Sequence, residues 1–290
     1  MIVVRVCGGL GNQLFQYAVG RRLAAVHQTE LVLDTYWYAH TPPRDTLRTF
    51  ELLHYPVQAR LVAGSEALWC RLHGGRIARR LPFLPRRWKH FSEKGFAFDA
   101  AVLRLPDEVY LDGYWQCYRY FEDLAGLIRA ELSPIDLLGA QDKHIAQQMR
   151  ATRSVSVHVR RGDYVSSPTA AQHGVCGLDY YSAAVDRVRS ALRESPEMHF
   201  FVFSDDPSWA RENLVLPGGT TFVTHNGTAK AFQDLRLMSL CKHHVVANSS
   251  FSWWGAWLNP DPGKLVICPR RWFADDRDTS SLAPSEWIRL

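Results

Sequence analysis

Short apolar runs rich in β-branched residues alternate with longer amphipathic stretches along most of the chain. Before residue 133 this pattern predicts strands at residues 2–7, 30–34 and 109–112, and helices at residues 12–27 and 121–132. After residue 152 it predicts strands at 154–159, 199–204, 221–223, 244–247 and 264–268, and helices at 180–193, 207–213, 229–240 and from 253. Strands that alternate with helices indicate parallel sheets joined by crossover helices.

The alternation falls into two sets, which predicts two domains. The break lies near residues 133–152, and we place the domains at 1–145 and 146–290. Each domain is expected to be Rossmann-like, and the two are expected to face a central cleft. In open α/β sheets, ligands bind beyond the carboxyl ends of the strands. Polar motifs follow four of the predicted strands, so we expect the functional site there.

Composition narrows the class of protein. Hydrophobic residues make up 47% of the 290 residues and ten residues are tryptophan, which argues for a packed core and against disorder. No run of 18 apolar residues occurs, and the run at 2–7 is too short for a signal-peptide core, so we expect a cytoplasmic protein. The six cysteines form no C-x-x-C pair, which favours buried reduced thiols. The net charge of +5 fits an anionic small ligand, a membrane surface or nucleic acid.

The basic segment, residues 67–92, carries seven cations and no acidic residue. Its cations are Arg71, Arg76, Arg79, Arg80, Arg86, Arg87 and Lys89, interleaved with apolar side chains. A basic amphipathic segment can lie on an anionic membrane, and the alternative is a solvated helix face. Nucleic acid is not expected as a partner, because no binding motif accompanies the charge. The basic segment is therefore a candidate for peripheral contact with the inner face of a membrane or with a lipid-linked acceptor.

The glycine loop, GGLGNQ at residues 8–13, joins a predicted strand to a predicted helix. Gly9 and Gly11 would let backbone N–H groups approach a ligand at the helix N-terminus. Asn12 and Gln13 carry amides that suit hydroxyl groups or phosphate oxygens. These four residues are therefore candidates to line a ligand site.

The second motif, HVRRGDY at residues 158–164, ends a predicted strand. Arginine presents a planar fork that matches phosphate oxygens, and its charge does not titrate away. Arg160 and Arg161 are therefore candidate phosphate ligands. His158 lies two residues before Arg160, on the same face of the strand. Asp163 is either a general base or the ion-pair partner of one of these arginines.

The third motif, NSSFSWWGAWLN at residues 248–259, runs from a strand into a helix. Ser250 or Ser252 is predicted to be the helix N-cap, and Ser249 lies beside them. Their hydroxyl groups, with the free N–H groups of a helix N-terminus, could hold a pyrophosphate. The three tryptophans at helical spacing are predicted to be core residues.

Other acidic residues leave alternatives open. Asp206 follows another strand and is a candidate to bind ribose or base. Asp34 would complete part of a dinucleotide fingerprint and make the chain an NAD(P)-dependent oxidoreductase, but the third glycine of that fingerprint is missing. Asp276 and Asp278 have the spacing of a metal site, but they follow no clear strand, so no metal is expected.

The motifs at residues 8–18 (GGLGNQLFQYA), 158–164 and 248–259 resemble those of the α-1,2-fucosyltransferases, which belong to glycosyltransferase family 11. They occur in that family's order and span nearly the whole chain. The resemblance implies a GT-B fold and an inverting, metal-independent transfer of L-fucose from GDP-β-L-fucose to the 2-hydroxyl of a galactose residue in a glycan. The alternative is a fucosyltransferase of different linkage. The chain lacks the membrane anchor of animal members, which points to a bacterial enzyme of polysaccharide synthesis.

The resemblance also implies a division of roles. The carboxy-terminal domain would hold GDP-fucose, the amino-terminal domain would hold the acceptor, and no cofactor would be needed. The candidate donor contacts are His158, Arg160, Arg161, Asp206, Ser249, Ser250 and Ser252. The candidate acceptor contacts are Gly9, Gly11, Asn12 and Gln13. Arg160, Asp163 and Asn12 are the candidate catalytic residues, with Arg160 expected to neutralise the β-phosphate.

Overall fold

The computed structural model describes residues 1–43, 45–74, 87–162, 174–192, 198–275 and 277–290, without the side chains of residues 71–74. The chain divides into two compact units. The first contains Met1–Ser133 and Ser280–Leu282, and the second contains Pro134–Thr279 and Ala283–Leu290. The division thus comes at Pro134, earlier than the predicted boundary at 145/146. It follows the end of a helix, as expected where a proline disfavours helical geometry in the residue before it.

Five parallel strands form the sheet of the first unit. They are β1 (Ile2–Arg5), β2 (Leu31–Asp34), β3 (Arg60–Leu61), β4 (Lys89–Ser92) and β5 (Val109–Asp112), in the order β3-β2-β1-β5-β4. Strand β1 pairs with β2 on one side and with β5 on the other. A central parallel strand is buried on both faces, which explains why β1 reads as a continuous apolar run.

Helices cover this sheet. They are α1 (Leu10–His27), α2 (Tyr36–Ala39), α3 (Ser65–Gly74) and α4 (Ala125–Glu131). Helix α1 packs closely on the sheet at Gly20, where an added Cβ would lie 2.4 Å from Val4. Buried Glu131 ties α4 to α1, because it accepts a hydrogen bond from Tyr17 and a bidentate pair from Arg21.

Six parallel strands form the sheet of the second unit. They are β6 (Arg153–Val159), β7 (Met198–Ser204), β8 (Gly219–Val223), β9 (His243–Val245), β10 (Val266–Cys268) and β11 (Ile288–Arg289), in the order β11-β10-β9-β6-β7-β8. The helices are α5 (Ala140–Ala151), α6 (Leu178–Leu192), α7 (Pro207–Asn213), α8 (Ala231–Leu240) and α9 (Ser250–Leu258). The α/β class with two parallel sheets is therefore confirmed.

Several local expectations change in the structure. The predicted helix at 121–132 begins as a 3₁₀ turn at Glu122–Leu124, and only then becomes α4. The third-motif tryptophans are core residues as predicted. In α9 the rings of Trp253 and Trp257 stack, and Trp254 packs edge-on against both. All six cysteines are buried and unpaired, as expected.

The basic segment is not one helix. Its start belongs to α3, residues 75–86 lie outside the described residues, and its end is strand β4, paired with β5. Trp88 is buried against Tyr110, and Arg87 covers the Trp88 ring and lies 3.7 Å from Glu66. The alternative of a solvated helix face over the whole segment is therefore wrong, because its last residues, 89–92, pair with β5 as a strand. Among the described residues, no helix has the length and apolar character needed to cross a membrane.

Candidate active site

The polar motifs of the second unit meet at the carboxyl edge of its sheet. Strands β9, β6 and β7 are neighbours, so the loops that follow them, at residues 246–249, 160–162 and 205–206, lie at the same edge. The chain passes from β6 to β7 on one side and later returns to β9 on the other side. The order of the sheet therefore reverses between β6 and β9, and ligands of open α/β sheets bind at such a switch point.

Asp205 holds both arginines of the loop after β6. The Arg160 guanidinium forms an ion pair with it at 3.2 Å, although the angle is not that of a hydrogen bond. The backbone N–H of Arg161 donates to the other carboxylate oxygen at 2.8 Å, while its guanidinium lies 3.8 Å from the Trp209 ring centre. Gly162 permits this approach, because an added Cβ would come within 2.8 Å of the carboxylate. The result is a braced pair of cations at the sheet edge.

The acidic partner of the arginines is one that sequence reasoning missed. Asp163 lies outside the described residues. Asp206 is the N-cap of α7, where its carboxylate accepts the Trp209 N–H at 3.1 Å. The local pattern could have shown this, since an Asp before Pro207 at the first helical position is a typical N-cap. That cap leaves Asp205 as the carboxylate beside the cations.

His158 is buried at the end of β6, and its ring lies 5.7 Å from that of Phe251 in α9. Burial and the charge of Arg160 lower the pKa of His158 to about 3, so the ring is neutral at physiological pH. Its Nδ1 atom has no hydrogen-bond partner in the described part of the chain. His158 can therefore offer a neutral ring nitrogen at the switch point, but it does not add positive charge.

Helix α9 begins at Ser250, and its N-cap is Ser249 rather than either predicted serine. The Ser249 hydroxyl accepts the Phe251 N–H at 3.3 Å. The hydroxyl of buried Ser252 donates to the Ser249 carbonyl. The serines at 249 and 252 therefore shape the helix start, which places the positive end of the helix dipole beside the arginine loop.

The asparagines that bound the third motif fix the two ends of α9 to neighbouring segments. Asn248 donates to the carbonyls of Gly174 and Trp272. Asn259 ends the helix and lies 3.0 Å from the buried His244 ring, whose other nitrogen lies 2.9 Å from Ser156. These contacts give the amides of the motif a structural role.

The glycine loop occupies the equivalent switch point of the first unit, between β1 and β5. Gly8 has a positive φ of 79°, and an added Cβ would lie 2.7 Å from the Asn12 amide. Gly9 caps α1, and Gly11 lies within it. The Asn12 amide oxygen accepts from Gln116 at 2.7 Å. Asn12 and Gly9 thus lie at the carboxyl edge of the first sheet, and contact with a ligand there stays a prediction.

Gln13 does not face a ligand in this arrangement. Its amide is completely buried, donates to the carbonyls of Gly8 and Thr49, and accepts the Glu51 N–H at 2.8 Å. Gln13 therefore fixes the loop at residues 49–51 against the glycine loop. The prediction that it contacts substrate is replaced by this positioning role.

Glu51 is a second residue that the sequence did not reveal. One of its carboxylate oxygens is shielded from water and lacks a hydrogen-bond partner among the described residues. Burial raises the pKa of Glu51 to about 7, and the nearby charges of His54 and Arg48 only partly oppose this. No sequence signal marks it, because its environment is assembled from α1 and the loop that Gln13 holds. A carboxyl group with a pKa near 7 suits proton transfer at neutral pH.

Asp34 is already occupied by the protein. Its carboxylate is buried, accepts from the Tyr110 hydroxyl at 2.7 Å, and accepts the Tyr36 N–H at 3.0 Å. These contacts and its burial give the Asp34 carboxylate a structural role inside the first unit, which disfavours the oxidoreductase alternative. Asp276, one half of the alternative metal pair, lies outside the described residues.

The sequence profile of the family described as glycosyl transferase family 11 matches residues 83–290 of this chain. The chain belongs to glycosyltransferase family 11. This family 11 glycosyltransferase is similar over its full length to two Escherichia coli proteins. The O-antigen biosynthesis glycosyltransferase WbnK is 35% identical over 303 residues, 98% of each chain. An alpha-1,2-colitosyltransferase is 33% identical over 297 residues, covering 100% of this chain and 99% of the relative.

Two further proteins bear on family and fold. Human galactoside alpha-(1,2)-fucosyltransferase 1 is 31% identical over 157 residues, which cover 51% of this chain and 42% of the human protein. The solved Arabidopsis thaliana FUT1 mutant in complex with GDP has a similar fold, with a TM-score of 0.50 at 12% identity, over 98% of this chain and 74% of the other. The GT-B fold class is thus confirmed.

Proposed function

We propose that this family 11 glycosyltransferase transfers L-fucose from GDP-β-L-fucose to the 2-hydroxyl of a galactose residue, giving an α-1,2-fucoside. The observation that carries this proposal is the braced arginine pair beside the N-terminus of α9, at the switch point of the second sheet. Such a site suits a pyrophosphate. The names of the relatives support the α-1,2 linkage and a deoxy-hexose as the transferred sugar.

The proposed reaction is a single displacement. The acceptor oxygen forms a bond to the anomeric carbon of fucose as the bond from that carbon to the β-phosphate oxygen breaks. GDP leaves with the electron pair, and Arg160 neutralises the charge that develops on it. We propose that this arginine replaces the metal ion that other glycosyltransferases use, so no cofactor is required.

The displacement also releases the acceptor proton. Asp163 is the candidate base from the motif, and Glu51 is the candidate from the structure, since its raised pKa of about 7 matches proton transfer near neutral pH. Asn12, held by Gln116, would orient the acceptor hydroxyl.

A second candidate donor is GDP-colitose, because one full-length relative is described as a colitosyltransferase. Colitose is the 3-deoxy form of L-fucose. The two donors therefore differ by one hydroxyl, which only a hydrogen bond from the protein to that hydroxyl would discriminate strongly.

The test is GDP release from GDP-fucose or GDP-colitose with lactose as acceptor, in EDTA, followed by NMR of the product. We expect a 2-linked α-fucosyl product and equal rates with and without EDTA. Faster turnover of GDP-colitose would favour the second candidate, and loss of activity in EDTA would overturn metal independence. GDP binding without transfer to any galactoside would reject galactose as the acceptor.

A further inference from the structure

We propose that a pocket at the carboxyl ends of β4 and β5 binds a neutral hexopyranose ring of the acceptor, next to the galactose that receives fucose. The proposal rests on the proposed function for the identity of the acceptor. We call this sugar subsite the aromatic pocket. None of its lining residues belongs to the motifs at residues 8–18, 158–164 and 248–259.

The aromatic pocket lies entirely within the first unit and has a volume of about 300 Å³. This is at the small end of the range for ligand pockets, about 300–1,000 Å³. The lining residues that carry the argument are Phe91, Glu93, Lys94, Phe98, Trp115 and Tyr120. The half-buried rings of Phe91 and Phe98 offer apolar surface to the cavity, Trp115 and Tyr120 are buried in its wall, and a pyranose ring presents a matching face of C–H groups. The polar members can hydrogen-bond its hydroxyl groups.

The backbone at Trp115 is held in an unusual conformation. Its φ is +58°, in the left-handed region that is a genuine outlier for a bulky residue. The Glu93 carboxylate fixes this turn by accepting the N–H groups of Tyr114 and Trp115 at 2.6 and 2.9 Å. Strained backbone that is held by neighbouring groups is concentrated at ligand sites. This turn places the buried indole of Trp115 in the wall of the aromatic pocket.

Two polar groups of the aromatic pocket can form hydrogen bonds beyond those they make to the described residues. The Trp115 indole N–H is shielded from solvent and lacks an acceptor within the described ranges. Each Glu93 oxygen accepts one backbone N–H from the described residues and has a second lone pair available. Burial raises the pKa of Glu93, which favours its neutral form and further suits an uncharged ligand. An indole donor beside a carboxyl group can bind two hydroxyl groups of one sugar ring.

The aromatic pocket adjoins the predicted acceptor contacts of the same unit. Gln116 follows Trp115 directly and donates to Asn12 in the glycine loop at 2.7 Å. Both features lie where strands of one parallel sheet end, at β1, β5 and β4. A sugar in the aromatic pocket and a sugar at Asn12 would therefore be neighbours in one acceptor chain.

The test compares methyl β-galactoside with lactose and lacto-N-biose as acceptors for GDP-fucose, using the whole chain. We expect kcat/KM to be at least tenfold higher for the better disaccharide than for the monosaccharide. Trp115→Phe removes the N–H donor and should reduce this preference about three- to tenfold, chiefly through acceptor KM. Trp88→Phe, a buried tryptophan before the other end of β4, is the matched control and should preserve the preference.

Equal losses on monosaccharide and disaccharide, or no disaccharide preference in the natural chain, would overturn the subsite. If Trp115→Phe does not fold, Phe98→Leu carries the same test, because it removes one ring face from the pocket. If the natural chain transfers fucose to no galactoside, the proposed function fails separately. Saturation-transfer NMR with lactose alone then decides the subsite, and signals that Phe98→Leu does not weaken would reject it.

Discussion

Asp205 determines, at the scale of single residues, how the cations of the candidate site are presented. It pairs with the Arg160 side chain and with the Arg161 backbone, so one carboxylate orients two consecutive residues. The ion pair with Asp205 holds the Arg160 guanidinium in place. It also neutralises part of the positive charge. A preorganised donor of this kind stabilises a charged transition state at little reorganisation cost.

Replacing Arg160 by lysine tests this role. We expect Arg160→Lys to lower kcat by about 10²–10³-fold, because an ammonium group cannot reproduce the planar fork. The measurement is GDP release at saturating donor and acceptor. Arg211→Lys is the control, since Arg211 covers Phe222 on the same unit and its change should alter kcat less than twofold. A variant that keeps a third of the activity would contradict the role assigned to Arg160.

Glu51 makes a pH-dependent contribution to stability. Its carboxyl pKa is raised from 4.5 to about 7, so folding favours the protonated form. Below pH 4.5 the Glu51 carboxyl group is protonated in both the folded and the unfolded chain, and its burial lowers the free energy of unfolding by nothing. This loss of stability grows as the pH rises towards 7 and is complete above it. His54 and Arg48 oppose the shift, while the hydroxyls of Tyr38 and Tyr55 lie close enough to respond to the same charge.

Glu51→Gln should therefore stabilise the first unit at pH 8, by on the order of 3 kcal/mol, and much less at pH 5. Urea unfolding at both pH values measures this difference. The same variant should lower transfer activity if Glu51 accepts the proton, and the pH–rate profile should lose its limb near pH 7. Equal stability changes at pH 5 and pH 8 would show that Glu51 is not titrating as described.

At the scale of elements, the start of α9 has an observed role as a capped helix end and a proposed role as a phosphate contact. Ser249 caps the helix, and the capped end lies at the switch point beside the arginine loop. A structural cap and a phosphate contact make opposite demands on charge. A carboxylate can replace the serine as a cap, but it repels a phosphate.

Substitutions at Ser249 separate these roles. Ser249→Ala should lower the free energy of unfolding by about 1 kcal/mol, whereas Ser249→Asp should preserve it. Ser249→Asp should nevertheless weaken GDP binding at least tenfold, measured by calorimetry. Ser239→Ala in α8 is the control for loss of a serine hydroxyl. Unchanged GDP affinity in Ser249→Asp would remove Ser249 from the candidate donor contacts.

At the scale of the whole molecule, the two units each carry polar residues at one sheet edge. We expect GDP to slow hydrogen exchange in the loops at 160–162, 205–206 and 246–249 of the second unit. Residues 8–13 of the first unit should be unaffected by GDP and protected by acceptor. Exchange mass spectrometry measures both, with Arg160→Lys as the control that weakens the GDP effect. Protection by GDP confined to the first unit would reverse the proposed roles.

Membrane contact through the basic segment stays a prediction. Flotation with vesicles of phosphatidylglycerol or of phosphatidylcholine tests it, and we expect binding only to the anionic vesicles. Reversal of charge at Arg76, Arg79 and Arg80 together should abolish that binding. Arg87→Glu is a poor probe, because Arg87 already contacts Glu66 and Trp88. Equal binding to both vesicle types would contradict an electrostatic surface contact.

The sequence alone determined the fold class and most element types in the second unit, because long parallel strands read as apolar runs between amphipathic helices. It also located the arginine pair and the third motif at strand ends, since strand periodicity and glycine positions are local properties. It failed at short edge elements such as β3 and β4, where neighbouring strands supply the pairing that the local sequence does not encode.

Only the tertiary structure decided which polar side chains remain for chemistry. Gln13, Asp34 and Asp206 have the residue types of ligand contacts, yet the fold uses each to satisfy buried or capping N–H groups. Asp205 and Glu51 acquired their candidate roles through neighbours that are distant in the sequence or through burial. A side chain's charge and hydrogen-bonding capacity are local properties, but their occupancy depends on what folding brings within 3 Å of it.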